Sequence, residues 1–483
     1  MLPGDDYLYR ALSAHDERFD GRFFVGVRTT GIYCRPVCRV RLPRRANCSF
    51  FASAAAAERR GFRPCLRCRP ELAPGTASVD ASARLARSAA AAIEEGALEG
   101  AGLAGLAARL GVSDRHLRRV FVEAFGVAPI DYAQTQRLLL AKRLLTDTAM
   151  PILDVAFAAG FGSLRRLNAA FRERYRMSPG ALRRAAGGTA LGEITVALAY
   201  RPPYDWAAML GFLGRRAIAG VESVDQRSYR RTVVLDASDG RAASGWLQVT
   251  HDARRGRLQL AMSAALAPVI ARVIGRAKRM FDLACQPDEV QAALGSLAAA
   301  HPGLRVPGAF DGFEIAARAV LGQQVSVAAA RTLAGRLAGT FGAPVGTPWP
   351  TLAHAFPSAQ QVAVLEPAAI AGLGVTAARA RSIVALARAC ASGALVLEPG
   401  APLAATLDAL RELPGIGAWT AQYLAMRALG WPDAFPAADL GVRRALQVAR
   451  PAQAEAAASA WRPWRAYAVM HFWQSEHEQE IRR

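Results

Sequence analysis

LPGIGAWTAQYLAMRALGWPDAFPAADLG, residues 413–441, is the stretch on which the reading of this chain turns. Leu413-Pro414-Gly415-Ile416-Gly417 breaks one helical pattern, and a second begins at Ala418. A turn of this composition leaves backbone N–H groups unpaired at the start of the second helix, where they can hold a phosphate. Gly415 and Gly417 are the candidate DNA contacts of this helix-hairpin-helix. By itself the hairpin specifies only sequence-nonspecific binding to DNA. Asp439 adds chemistry, because it follows the hairpin after a Pro-containing loop. A carboxylate there can stabilise the positive charge that builds on deoxyribose as an N-glycosidic bond breaks, or orient the attacking water. It can also cap the helix that follows, and the two roles are compatible. Asp433 is the competing carboxylate, and beside Trp431-Pro432 a turn role is the better reading.

Working outward, helical periodicity extends back to about Pro268, with breaks at Pro302–Gly308, Gly342–Pro350 and Pro399–Pro402. Between Leu191 and that point lie the β-rich runs EITVALAY, SYRRTVVL, GWLQVTHD and RLQLAMS, with Asp239-Gly240 and Arg255-Gly256 as turns. A small antiparallel sheet followed by an all-helical unit is expected. Phe212, Trp419, Tyr423 and Trp473 are candidate walls for an extruded base, since electron-rich rings favour a base made cationic by alkylation. Each ring taken alone reads equally as core.

Further upstream a repeat with a fixed offset pairs Ser113 with Ser163, Leu117 with Leu167, Phe121 with Phe171, Phe125 with Tyr175 and Pro129 with Pro179. Two copies of one helix-turn-helix are implied. Each serine can cap a basic second helix, the first carrying Arg115, His116, Arg118 and Arg119, the second Arg165 and Arg166. These arginines are candidate contacts to successive major grooves, and His116 reads as a solvated or phosphate-facing side chain. Linker-like composition flanks the repeat at Glu71–Asp80 and Ala185–Ala190.

Five of the seven cysteines fall between Cys34 and Cys68. Cys34-x3-Cys38 and Cys65-x2-Cys68 suit one tetrahedral Zn²⁺ held by four thiolates, which by spacing alone reads first as structural. Arg35, Arg39, Arg63, Arg67 and Arg69 crowd the pairs, where cations stabilise thiolates and face phosphate. Cys48 has no partner at ligand spacing and reads as a small buried hydrophobe.

The whole composition agrees with a polyanionic partner. Lys+Arg number 60 against 39 Asp+Glu in 483 residues, a net charge of +21. Residues 1–190 hold 30 basic and 17 acidic side chains and the remainder 30 and 22, so both halves are basic. Such a length exceeds one hydrophobic core and implies several domains. There is no stretch of about 20 apolar residues and no signal pattern, so a cytoplasmic location without membrane contact is expected; a monomer is expected as well.

Three resemblances sharpen these readings. Residues 21–70, with RTTGIYCRPVC, NCSFF and GFRPCLRCRP, resemble the N-terminal domain of the Ada family. That resemblance implies Cys34 as the thiolate that accepts methyl groups from DNA phosphotriesters. A tetrathiolate zinc site carries two net negative charges, and methylating one sulfur removes one of them, which weakens repulsion from DNA. The double repeat, with the element Ala159–Phe161, resembles an AraC-type regulator domain. Promoter DNA and RNA polymerase are then implied partners.

YRPPYDWAAMLGFLGRRA (200–217), RAVLGQQVSVAAA (318–330) and WRPWRAYAVMHFW (461–473), with the hairpin and Asp439, resemble the AlkA-type 3-methyladenine DNA glycosylase II over residues 194–475. The resemblance implies hydrolytic excision of alkylated purines from double-stranded DNA, with Asp439 catalytic. Where relatives that also cut the backbone carry a lysine, this chain has Trp419, and its only lysines are Lys142 and Lys278; a monofunctional enzyme is expected. The chain departs from the family at Gln324, which stands where an apolar wedge enters the DNA stack, and at Leu440, which replaces an aromatic pocket residue. The Pro-Cys-His-Arg cysteine of O6-alkylguanine acceptors has no counterpart here, so that activity is expected to be absent.

The resulting fold class is multidomain. A small zinc-bound α+β domain (1–75) and an all-α AraC-type double helix-turn-helix (80–186) precede a TATA-binding-protein-like α+β sheet domain (191–300) and an all-α helix-hairpin-helix glycosylase core (301–483). The function implied is alkylation repair combined with methylation-responsive transcriptional regulation. Two alternatives are a damage-sensing regulator whose second half binds without cleaving, and an architectural DNA-binding protein with structural zinc.

Overall fold

Short strands rich in aromatic and β-branched residues open the chain, and their pairing decides where the cysteines meet. In a computed structural model, which describes residues 4–73, 81–99, 101–186, 193–237 and 240–482, β1 (Phe24–Val27), β2 (Ile32–Cys34), β3 (Cys48–Phe51) and β4 (Arg63–Pro64) form a sheet in the order β3-β1-β2-β4. β2 and β4 run parallel, and Cys65 N–H donates to the Tyr33 carbonyl at 3.0 Å. Cys34 and Cys65 therefore leave the sheet at the same end. Both linker-like stretches and the Asp239-Gly240 turn lie wholly or partly outside the described residues.

The offset repeat becomes two helix-turn-helix units. Gly102–Arg109 with Asp114–Phe125 is the first and Ile152–Ala158 with Leu164–Tyr175 the second. Ser113 Oγ accepts from His116 N–H at 3.2 Å and Ser163 Oγ from Arg166 N–H at 3.3 Å, so each repeat starts its second helix with the same cap. Leu117, Phe121, Leu167 and Phe171 are wholly buried. The long helix Pro129–Asp147 joins the two units and also packs against the zinc sheet.

All four β-rich runs are strands: β5 (Glu193–Ala199), β7 (Ser228–Asp236), β8 (Ala242–Asp252) and β9 (Arg257–Ser263). A short strand that the sequence reading missed, β6 (Glu222–Val224), completes an antiparallel sheet in the order β5-β9-β8-β7-β6. Alternation buries Val196 and Leu198 of β5 and Leu258, Leu260 and Met262 of β9 on one face. The helix Trp206–Arg216 crosses between β5 and β6. The rest is helical, ending in Arg465–Arg482. No described helix is long and apolar enough to cross a membrane.

The two halves share one interior. The largest apolar cluster runs from Leu138 through β5–β9 to Phe472. Arg201, fully buried, donates to the Asp20 carbonyl at 2.8 Å and to the carbonyls of Ala284 and Cys285 at 3.2 and 3.1 Å. Arg22 pairs with Glu289 at 2.9 Å, Lys278 with Glu94 at 3.4 Å, and Arg279 with Glu95.

Within the first half, Glu58 is buried between the zinc sheet and the long helix, accepting from Tyr33 Oη at 2.9 Å and Thr135 Oγ1 at 3.2 Å. Desolvation pushes its carboxyl up to about 7. A raised carboxyl stabilises the fold below its unfolded value, and that contribution is lost as pH rises through the folded value. Stability should therefore decline between about pH 5 and 8 by on the order of 3 kcal/mol from this group. Glu58→Gln should flatten that decline; thermal unfolding of both proteins across the range checks it, and parallel curves would show that Glu58 does not titrate there.

Candidate base-excision and zinc sites

Asp439 ends an extended loop and caps the helix Leu440–Ala445, its Oδ1 accepting from Val442 N–H at 3.0 Å. The capping expectation and the catalytic one meet in one side chain. Oδ1 also accepts from the Trp473 indole N–H at 3.0 Å, and Oδ2 accepts from the Trp419 indole N–H at 2.9 Å. Trp419 lies in the first turn of the hairpin's second helix, Ala418–Arg427, and Trp473 in the final helix. Three elements thus fix one half-buried carboxylate. Asp433 is spent elsewhere. It is buried and paired with Arg465 at 2.6 Å and Arg462 at 2.7 Å, locking the loop to the final helix.

Around Asp439 the aromatic residues form a continuous wall. Tyr423 stacks on Trp419 with centroids 5.3 Å apart and planes 13° off parallel, and it lies 6.3 Å from Trp473. Trp473 also stacks with Phe212 at 6.2 Å. The structure brings all four together but gives Phe212 a different place from the expected base-stacking one. Its ring is 2% exposed and is covered by the Arg216 guanidinium 3.8 Å from its centroid. Phe212 backs the wall; Trp419, Tyr423 and Trp473, all half-buried, present it.

Gly415 adopts φ +76°, and a Cβ there would stand 2.4 Å from Ser382 Oγ, so the turn requires glycine. Gly417 begins the second helix with no side-chain cap and open space in front of it. Its unpaired N–H end is available to a phosphate. Gln324 is exposed in a left-handed turn at φ +54°, and Gln323 beside it donates to the Gly415 carbonyl at 2.9 Å and Thr420 Oγ1 at 3.2 Å. The turn bearing Gln324 is thereby tied to the hairpin. Leu440, next to the carboxylate, is 52% exposed.

At the other site, the sulfurs of Cys34, Cys38, Cys65 and Cys68 all lie within 4.8 Å of one another. Four thiolates at about 2.3 Å from one ion fill such a space. Sulfurs this close conflict as anions. A divalent cation removes that conflict. The donor set fits zinc, and the four cysteines hold one Zn²⁺. Cys68 is half-buried and the other three buried. Cys48 is buried outside the quartet, its Sγ 3.5 Å from the Arg44 carbonyl. Arg35 N–H donates to Cys68 Sγ at 3.3 Å, and its guanidinium binds the Asp20 carboxylate, itself 4% exposed.

Arg115, Arg118, Arg119, Arg165 and Arg166 are all exposed. Arg118 pairs with Asp114 at 2.7 Å, Arg119 with Glu123 at 3.8 Å, and His116 Nδ1 lies 3.3 Å from Arg119.

Family models match four segments: the metal binding domain of Ada at residues 7–71, a helix-turn-helix domain at 106–185, the AlkA N-terminal domain at 195–311, and the HhH-GPD superfamily base excision DNA repair protein at 317–465. Over 487 aligned residues the chain is 40% identical to the probable bifunctional transcriptional activator/DNA repair enzyme AlkA of Mycobacterium tuberculosis, covering 97% of this chain and 96% of that protein. The chain belongs to that family. This AlkA-family fusion is also 38% identical to DNA-3-methyladenine glycosylase 2 of Escherichia coli, across 58% of the chain and 96% of that enzyme. Its first part is 38% identical to the bifunctional transcriptional activator/DNA repair enzyme Ada of Escherichia coli, across 30% of the chain and 39% of that protein.

Sequence reasoning missed Arg216, Arg427 and Gln323. Arg427 follows Tyr423 by one helical turn and donates to Tyr423 Oη at 2.7 Å; the i, i+4 spacing was the available signal. For the zinc site, elemental analysis of the AlkA-family protein should find one zinc per chain. Cys38→Ala and Cys65→Ala should each lose most of it, and full occupancy in both would remove these residues from the ligand set.

Proposed function

We propose that this protein hydrolyses the N-glycosidic bond of alkylated purines, 3-methyladenine among them, in double-stranded DNA, with Asp439 as the essential carboxylate, and that Cys34 takes methyl groups from DNA phosphotriesters to control transcription. The observation that carries the first part is the Asp439 carboxylate held by two indole N–H groups beside an uncapped hairpin. As the C1′–N bond stretches, positive charge grows on the sugar, and a carboxylate that need not reorganise stabilises it. The half-buried rings of Trp419, Tyr423 and Trp473 receive the extruded base, and stacking favours a cationic one. Gly415 and Gly417 fix the strand by its phosphate.

Both lysines are engaged far along the chain from Asp439, Lys142 with Glu71 at 2.6 Å and Lys278 with Glu94. That supports hydrolysis without strand cleavage, since a Schiff base needs a free amine in the pocket.

In the first half, Zn²⁺ when bound supplies the charge that keeps sulfur ionised at neutral pH. The Cys34 sulfur then attacks the methyl carbon, the methyl C–O bond breaks, and the electron pair leaves on the phosphate oxygen. Arg115, Arg165 and Arg166 carry no ion pair among the described residues and are the arginines freest to enter major grooves. Activation through RNA polymerase, a monomeric state and a cytoplasmic setting complete the reading.

Release of free bases from methylated duplex DNA, with strand breaks scored in parallel, tests it. The intact protein should release 3-methyladenine and leave abasic sites uncut; Cys34→Ala should retain release, and Asp439→Asn should lose roughly 100-fold or more. A DNA-binding protein that releases no base would make the second half a damage-recognition module.

A further inference from the structure

Trp419, Tyr423 and Arg427 stand at successive turns on one face of the hairpin's second helix. Trp419 grips Asp439 at one end of this row, and Arg427, 4% exposed, closes the other. Tyr423 lies between. Its hydroxyl oxygen accepts from Arg427 at 2.7 Å and makes no other hydrogen bond among the described residues. A phenol oxygen that accepts from a guanidinium has its own proton left to give. One helical turn is about 5.4 Å, comparable to the length of a purine. In the proposed pose a base whose sugar sits at Asp439 lies along this row, with its far edge toward the Tyr423 hydroxyl.

Behind that hydroxyl the charge is one-sided. Arg231 pairs with Glu314 at 2.6 Å, and Arg318 with Glu222 at 2.9 Å and Glu314 at 3.1 Å. Arg216 and Arg427 have no carboxylate partner among the described residues. Arg427 instead donates to the Pro307 carbonyl and Tyr423 and lies 4.9 Å from the Phe212 ring, while Arg216 covers that ring. Desolvation draws Arg216 down to about 10 and lowers Arg427 in the same direction; at about 10 Arg216 is still a cation at neutral pH. Two cations without a carboxylate partner beside an aromatic wall repel a base that is already positive. They favour a base that becomes negative as it leaves.

We propose that Tyr423, oriented by Arg427, is a hydrogen-bond donor to the departing base, acting most strongly on neutral lesions. The proposal rests on the glycosylase reading and concerns the other end of the breaking bond. When C1′–N breaks, the electron pair goes to the base nitrogen. A cationic 3-methyladenine leaves neutral, water adds to C1′, and the proton from that water passes to solvent. A neutral base such as hypoxanthine leaves with negative charge, and the proton from the water ends on the base nitrogen. Both bases gain the same electron pair, but only the second becomes an anion, the poorer leaving group, for which an O–H donor backed by a guanidinium counts most. Arg427 is the positioning residue and Tyr423 the group that touches the base.

The test compares single-turnover release of 7-methylguanine, cationic, and hypoxanthine, neutral, from otherwise identical duplexes by the full-length protein, Tyr423→Phe and Arg427→Gln. Removing the hydroxyl should lower hypoxanthine release at least tenfold more than 7-methylguanine release, since one such donor is worth on the order of 100-fold where charge develops. Arg427→Gln should shift the ratio in the same direction. For both variants the gap should narrow as pH falls and solvent protonates the neutral base. Equal losses on the two substrates would reduce Tyr423 to a stacking surface and overturn the proposal, as would an intact protein that releases 7-methylguanine but no hypoxanthine. An intact protein that releases neither would instead overturn the glycosylase reading. Melting curves report whether each variant is folded.

Discussion

The Asp439 carboxylate accepts three hydrogen bonds, from Trp419, Trp473 and the backbone of Val442, and the architecture of the second half can be understood as what holds those donors in place. The hairpin supplies Trp419, the final helix supplies Trp473, and the loop between them supplies the aspartate. Asp433, clamped by Arg462 and Arg465, fixes that loop to the final helix. Donors preset at a carboxylate orient its lone pairs before a substrate arrives, which is the condition for electrostatic stabilisation without reorganisation. The same side chain also stops the chain from fraying at the start of a short helix, so on the proposed function stability and chemistry draw on one group.

The second constraint is the seam between the halves. The N–H groups of a buried guanidinium need acceptors. Arg201 finds acceptors in the carbonyls of Ala284 and Cys285 on one side and Asp20 on the other. Asp20 holds Arg35, and Arg35 touches Cys68. On the glycosylase side, Arg305 continues the chain to Arg201 and Pro203, and Asp282, whose carbonyl Arg305 also binds, accepts from Tyr467 of the final helix. A row of buried polar contacts thus runs from the zinc cysteines to the helix that carries Trp473.

Much of this was legible in the sequence. Alternation marked four of the five strands of the second sheet, and the fixed offset from Ser113 to Ser163 marked two units with equivalent caps. The cysteine spacing marked a metal site because bite distance is local. β6 was missed because three residues carry too little pattern to separate a strand from a loop. Arg201 and Arg216 were missed for another reason: an arginine inside the protein is spelled like one on its surface, and only tertiary packing distinguishes them. Phe212 shows the same limit in reverse. That it belongs to the aromatic cluster with Trp473 was readable, but not that a guanidinium already occupies its face.

On the proposed function Asp439 meets positive charge on the sugar. The most direct test is equilibrium binding to two abasic duplexes, one carrying a neutral tetrahydrofuran sugar and one a cationic pyrrolidine that mimics the charged transition state. The intact protein should bind the pyrrolidine duplex tighter by roughly 100-fold or more, as expected of a transition-state mimic, and Asp439→Asn should bring the two affinities close together. If Asp439→Asn kept the full preference for the cationic sugar, the charge would be stabilised by some other group and the account given for this carboxylate would be wrong.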